Sequence, residues 1–326
     1  MIREILWLLA TFFLAHVQLA EAQQPKEVPR LGYLSAFTPS AGGPLLDGFR
    51  QGLREFGYIE GQNIFIDYRW AEGRAERFSA LAAELIQLRE DVIVTQSNAG
   101  VAALQHATRS IPIVVVAMGD PVASGFVVSL ARPGGNITGF SNQAEELAGK
   151  WLELLTEAVP KVSRVAVLAV SQTLAHRTFW EEIQFSAKAL KVSLHREEIT
   201  GPDVIEHSFE NVVKAAAQAL IVLPHAVTFA HRSQIVGLAA KNQLPGMYSD
   251  RLYAEDGGLM SYGTDLVDLH QRATTYVDKI LKGAKPADLP VEQPKKFILS
   301  INLKTAKQIG VTIPPHVLAR ADRVIK

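Results

Sequence analysis

Apolar runs and amphipathic stretches alternate along the chain. Ile111–Met118 is nearly unbroken Val and Ile, and Gly119-Asp120-Pro121 ends it. A run of this kind reads as a strand covered on both faces, as in parallel sheets. Leu31–Leu34, Asn63–Trp70, Asp91–Thr95, Arg164–Val170, Ser193–Ile199, Leu220–Leu223, Leu244–Tyr248, Gly258–Tyr262 and Phe297–Leu303 read as further strands. Between them apolar residues fall at helical spacing. Leu45, Phe49, Leu53 and Phe56 share one face of a helix predicted over Pro44–Phe56, which Gly57 stops. Phe78, Leu81, Leu85 and Leu88 do the same over Glu76–Leu88, and Ile205, Phe209, Val212 and Ala216 over Asp203–Ala217. Other helices are expected from Gln96 through Thr108, over Glu145–Ala158, Arg177–Leu190 and Leu266–Leu281, from Pro224 to about Asn242, and over Lys304–Ile309. A short helix-like segment is expected over Val122–Leu130, followed by a brief strand at Ile137–Phe140.

Strands alternating with crossover helices imply parallel sheets. The alternation runs twice at comparable length, which implies two similar lobes. The strand at Ile137–Phe140 reads as the first exit from one lobe towards the other. The 326 residues are long enough for two medium domains, and 48% of them are apolar, as in a globular chain. Basic and acidic residues balance at 33 each, so no nucleic-acid partner is indicated. Cysteine is absent, which excludes disulfides, thiolate metal sites and a lipidated N-terminal cysteine.

The first 22 residues read as an export signal. Arg3 precedes an apolar run from Ile5 to Ala15, too short to span a membrane, and Ala20-Glu21-Ala22 is an A-x-A cleavage site. Cleavage would remove Arg3, Glu4 and Glu21 and leave a near-neutral, soluble, exported chain with no stable membrane insertion.

Candidate chemistry lies where strands end and helices begin. Helix N-termini carry free N–H groups and hold carboxylates well. Ser35, Thr38 and Ser40 occupy the first such loop, Gln96, Ser97 and Asn98 the third, and Ser171, Gln172 and Thr173 the matching loop of the second lobe. Thr228 stands where Pro224-His-Ala-Val-Thr228 enters a helix. Each hydroxyl could simply cap a helix. As a set, uncharged hydrogen-bonding side chains above apolar strands suit a small polar or zwitterionic ligand. Asp120 and Asp250 end apolar strands, and either could hold a ligand ammonium group or serve as a cap. Phe37, Tyr248, Tyr253 and Tyr262 could stack on a ligand side chain or pack between lobes. The histidines are scattered and suggest no metal site. No G-x-G-x-x-G, Walker A or G-x-S-x-G motif is present, so neither a cofactor nor an ATPase is indicated.

Two stretches carry a family likeness. Ile111–Ser141 contains an IPIV strand, a DPV turn and SLARPGGNITG, and Ile301–Ile325 reads INLKTAKQIGVTIPPHVLARADRVI. Both resemble the ABC-transporter substrate-binding proteins whose better-known members bind tryptophan, phenylalanine or related molecules. The resemblance runs from about Arg30 to the C-terminus. It implies a periplasmic binding protein of type I: two Rossmann-like lobes, each a parallel sheet flanked by helices, joined by a three-crossing hinge. On that basis lobe 1 comprises residues 28–140 and 261–293, and lobe 2 residues 141–260 and 294–326. It further implies a periplasmic protein that captures a small molecule, such as an amino acid or aromatic amino-acid-like ligand, between its lobes. The partner would be an ABC permease of the inner membrane. It favours Asp250 over Asp120 as the ammonium partner. Thr95-Gln-Ser-Asn98 and Met118-Gly119 depart from the family pattern at the cleft, which leaves ligand identity open. A ligand-sensing module and an exported enzyme on the same fold are the alternatives.

Overall fold

The computed structural model describes residues 28–142, 147–170 and 174–326. The expected export signal, together with Ser171 and Gln172, lies outside the described residues. The first sheet contains β1 (Arg30–Ser35), β2 (Phe65–Trp70), β3 (Val92–Thr95), β4 (Ile113–Met118) and β5 (Ile137–Ser141). Its order is β2-β1-β3-β4-β5, and every pairing is parallel. Crossover helices α1 (Gly43–Glu55), α2 (Phe78–Gln87) and α3 (Asn98–Ala107) link these strands. The second sheet contains β6 (Arg164–Val170), β7 (Ser193–Ile199), β8 (Ala219–Val222), β9 (Gly246–Tyr248), β10 (Met260–Gly263), β11 (Ile298–Asn302) and β12 (Arg323–Ile325). Its order is β12-β11-β10-β9-β8-β6-β7, with β10 and β11 antiparallel and the other pairs parallel. The helices here include α4 (Ala148–Ala158), α5 (Leu174–Leu190), α6 (Ile205–Lys214), α7 (Ala226–Ala230), α8 (Arg232–Lys241) and α9 (Arg251–Glu255).

Both sheets are therefore covered on both faces, which explains the continuous apolar strands. In the first lobe, α2 and α3 bury Phe78, Leu81, Leu85 and Val101 on one face. On the other, α1 packs with α10 (Leu266–Leu281) over Tyr33, Val94 and Val114. In the second lobe, α4 and α5 cover one face with Trp151, Leu155 and Phe179. The chain leaves the first sheet after Ser141, which pairs with Glu292 through its N–H at 2.9 Å. It comes back after β10, so that α10 lies on the first sheet, and passes to the second sheet a last time before β11.

Two local expectations are corrected. Residues 121–130 form turns rather than a helix. Asp120 Oδ1 accepts from Val122 N (3.2 Å) and Ala123 N (2.9 Å) as a cap would, but Gly125 takes φ +69° and ends the turn. The helix expected from Pro224 to Asn242 is two helices, α7 and α8, separated by His231 at φ −106° and ψ 22°.

Candidate functional site

In open parallel sheets a ligand crevice forms beyond the strand carboxyl ends, where the strand order reverses. In the first sheet that point lies between β1 and β3. In the second it lies between β6 and β8. The loops after these four strands are therefore the rims of the candidate cleft, and they contain most of the residues the sequence singles out.

On the first rim, Ser35 and Gln96 are buried below the surface. With its amide oriented to satisfy both ends, Gln96 donates to Leu34 O (3.1 Å) and accepts from Ser35 Oγ (2.7 Å) and Ala36 N (3.2 Å). Ser35 Oγ in turn accepts from Phe37 N at 3.1 Å. These two side chains fix the loop after β1. Thr38 Oγ1 accepts from Ala41 N (3.2 Å) and meets Ser40 Oγ (3.2 Å), closing the turn that leads into α1. Ser97 caps α3 by accepting from Gly100 N at 3.1 Å. Asn98 Oδ1 accepts from Gly119 N at 3.0 Å and ties the β3 and β4 loops together. Asp120 is exposed and serves its own turn.

On the second rim, two histidines without a role in the sequence reading stand side by side, their ring centres 5.7 Å apart. His176 joins the ends of β6 and β8. Its Nδ1 accepts from Val170 N (2.9 Å) and its Nε2 donates to Pro224 O (3.1 Å), a neutral tautomer. Burial lowers its pKa, and burial with His176 alongside lowers that of His225 to about 4. His225 Nδ1 accepts from Val227 N (3.1 Å), while buried Thr228 accepts from His225 N (3.1 Å) and donates to Leu223 O (3.0 Å). The start of α7 is thus capped from both directions.

The rims touch through aromatic side chains. Phe37 of the β1 loop lies 4.6 Å from Phe229 of α7. Phe229 meets the edge of Tyr253 at 6.0 Å, and Tyr253 stacks on Tyr248 at 4.8 Å. Tyr262 does not join them. It packs against Phe297 on the opposite face of the second sheet, and its carbonyl accepts from Trp151 Nε1 at 2.7 Å. Beside the rings lies buried Arg232 of α8. Its guanidinium sits 4.7 Å over the Phe229 ring and pairs with Asp256 at 3.0 Å. The sequence held a signal for it: Arg232 shares the buried face of α8 with Ile235, Val236 and Ala239, at helical spacing.

Asp250 lies where the chain passes between lobes. Its Oδ1 caps α9 by accepting from Leu252 N (2.8 Å), and its Oδ2 accepts from Leu266 N (3.3 Å) at the start of α10. Asp265 answers it. That carboxylate caps α10 at Val267 N (3.0 Å) and pairs with Arg251 Nε (2.8 Å) at the start of α9. Each aspartate caps its own helix and reaches the other. Burial raises the Asp250 carboxyl to about 6, against the pull of the two backbone N–H groups.

A sequence profile of the family described as "ABC transporter substrate binding protein" matches residues 43–325. A tyrosine-binding protein of Clostridioides difficile is 26% identical over 264 residues, 81% of this chain and 76% of that one. A conserved domain protein of Vibrio cholerae superposes with a TM-score of 0.82 at 27% identity, covering 91% of this chain and all of the other. The ABC domain of a Streptococcus pneumonia protein, solved in complex with L-Trp, does so with 0.79 at 27% identity, over 90% of this chain and all of that one.

Proposed function

Because this chain belongs to the ABC transporter substrate-binding protein family, we propose that it captures an aromatic amino acid between its lobes and delivers it to an ABC permease of the inner membrane. One observation carries the reading. The loop after β1 and the helix after β8, each next to the reversal point of its sheet, meet through Phe37 and Phe229. A two-lobed protein with an aromatic seam between its rims suits a ligand that offers a ring as well as charged ends. The names of its relatives point the same way: one is a tyrosine-binding protein and another was solved with L-Trp.

In this reading the ligand carboxylate lies at the N-terminus of α3, whose first turn presents backbone N–H groups beside Ser97 and Asn98. Ser171 and Gln172, which follow β6 in the sequence, are the partners proposed for it from the second lobe. The ligand favours the closed arrangement because only there does it touch both rims. No bond is made or broken, and the molecule released is the molecule captured. Among the described residues no helix is long and apolar enough to cross a membrane. We read the first 22 residues as an export signal, whose cleavage would leave the mature chain in the periplasm.

A thermal-shift series with L-tryptophan, L-tyrosine, L-phenylalanine and glycine tests the proposal. A ligand at a hundred times its Kd stabilises the fold by about 2.7 kcal/mol. At least one aromatic amino acid should raise the melting temperature, glycine should not, and the ligand should be recovered unchanged. Equal response to all four, or to none, would overturn the reading.

A further inference from the structure

We propose that Arg232 is a latch between the lobes: a positioning residue that holds the cleft shut around its ligand and sets how slowly the ligand leaves. The inference rests on the binding function proposed above, but the latch is built from contacts of its own. Arg232 is only 7% exposed, and a guanidinium so far from water needs partners. Two of them belong to its own lobe: Asp256 Oδ2 at 3.0 Å and Phe229 O at 3.2 Å. The third is Ala41 O at 3.0 Å, a backbone carbonyl of the other lobe. A charge-assisted bond in such a setting is stronger than the same bond at a wet surface.

The carbonyl is held ready from the other side. Thr38 Oγ1 accepts from Ala41 N, and Gly42 N donates to Thr38 O at 2.9 Å, so the turn that presents Ala41 O is closed by the residue that precedes it by three. The same loop carries Phe37 onto Phe229, the ring that Arg232 covers. When the lobes part, the guanidinium loses Ala41 O and the two rings separate in one movement. The first-lobe loop is also rooted in Ser35 and Gln96 at the reversal point of its sheet. Gln96, next to the proposed carboxylate site at Ser97 and Asn98, thus braces the loop that carries the latch, which couples occupancy of the cleft to the bond at its mouth.

The chain has no cysteine, so Ser79→Cys on α2 and Glu206→Cys on α6 give one spin label in each lobe. In the parent, pulsed electron resonance should show a short interlobe distance with 1 mM (on the order of saturating) L-tryptophan. Arg232→Met keeps the apolar stem on Phe229 and removes the donors. It should add a longer distance component with and without L-tryptophan, and speed L-tryptophan dissociation about tenfold. Thr38→Val, on the other lobe and half-exposed, should shift both readouts in the same direction by less, and it keeps the test open should Arg232→Met fold poorly. Unchanged distances and an unchanged dissociation rate in folded variants would overturn the latch. If the parent binds none of the aromatic amino acids, the proposed ligand class fails, while the label distances still decide the latch.

Discussion

The lobes meet at two junctions of opposite character. At the hinge the contacts are carboxylates: Asp250 on the Leu266 N–H and Asp265 on Arg251 Nε, each at a helix start and each reaching across. At the cleft mouth they are rings and a guanidinium on a backbone carbonyl: Phe37 on Phe229, and Arg232 on Ala41. The difference follows from distance to the rotation axis. Close to the axis a rotation of the lobes moves atoms little, so short bonds to fixed helix ends survive it. Far from the axis the same rotation moves atoms by many ångströms, so contacts there are made and broken whole. In the closure proposed above, the hinge sets how the lobes turn and the mouth sets how long they stay together.

Of the changes at the two junctions, breaking the hinge backbone should have the largest effect. Gly263 ends β10 just before the chain re-enters the first lobe, and a Cβ there would stand 1.9 Å from Ser249 O. The obstacle is main chain, so no side chain can move aside. Gly263→Ala should cost about 3 kcal/mol or more and lower the melting temperature by roughly 6–10 °C. An unchanged melting point would show that the crossing is loose and that the hinge is not the fixed element.

Removing the hinge carboxylate should cost less. Asp250→Ala takes away a cap and a cross-lobe bond, an expected loss of about 2 kcal/mol, read from denaturant unfolding. Loss of ligand affinity without loss of stability would instead return Asp250 to the ligand. Its titration separates the junctions further. Burial raises the Asp250 carboxyl from 3.8 to about 6, so the folded state holds this proton more tightly than the unfolded chain does. Its contribution to stability is full below the unfolded value and is lost as pH rises through the folded one. Asp250→Asn cannot ionise. The difference in melting temperature between variant and parent should move in the variant's favour from pH 4 to pH 7 (about the span of the two values), and a flat difference would refute it.

The layered plan of both lobes was legible because buried parallel strands leave continuous apolar runs and their helices leave periodic ones. Ile113–Met118 and the Leu45–Leu53 face need no tertiary information. The rim loops were legible by position, since Ser35 ends a strand and Gln96, Ser97 and Asn98 follow one. Their bonding was not. Whether Gln96 faces a ligand or its own loop depends on Leu34 O and Ala36 N being within reach, which only the folded β1 and β3 decide. Asp250 and Asp265 lie fifteen residues apart in sequence, and nothing local announces that each caps a helix beside the other. Tyr262 was misplaced for a simpler reason: strand residues alternate between faces, and one step of register chose the far side. His176 gave no signal, because its two partners, Val170 and Pro224, are brought together only by the pairing of β6 with β8.

The mouth should show the smallest change in stability and the clearest change in binding. Phe37 and Phe49 are both buried phenylalanines of the first lobe, at 6% and 0% exposure. Phe49 is enclosed by α1, α10 and Tyr33 within that lobe, so truncation leaves a cavity that cannot collapse. Phe49→Ala should cost about 3–5 kcal/mol. Phe37 packs its ring on Phe229 of the other lobe. When its ring is removed the lobes can separate and admit water, so no cavity persists. Phe37→Ala should cost the fold under about 1 kcal/mol, while the Kd for L-tryptophan rises about tenfold, equivalent to about 1.4 kcal/mol. Calorimetry of both variants, with and without L-tryptophan, checks the pair. If Phe37→Ala destabilised the ligand-free protein as much as Phe49→Ala does, the seam would be a permanent core and the mouth would not open.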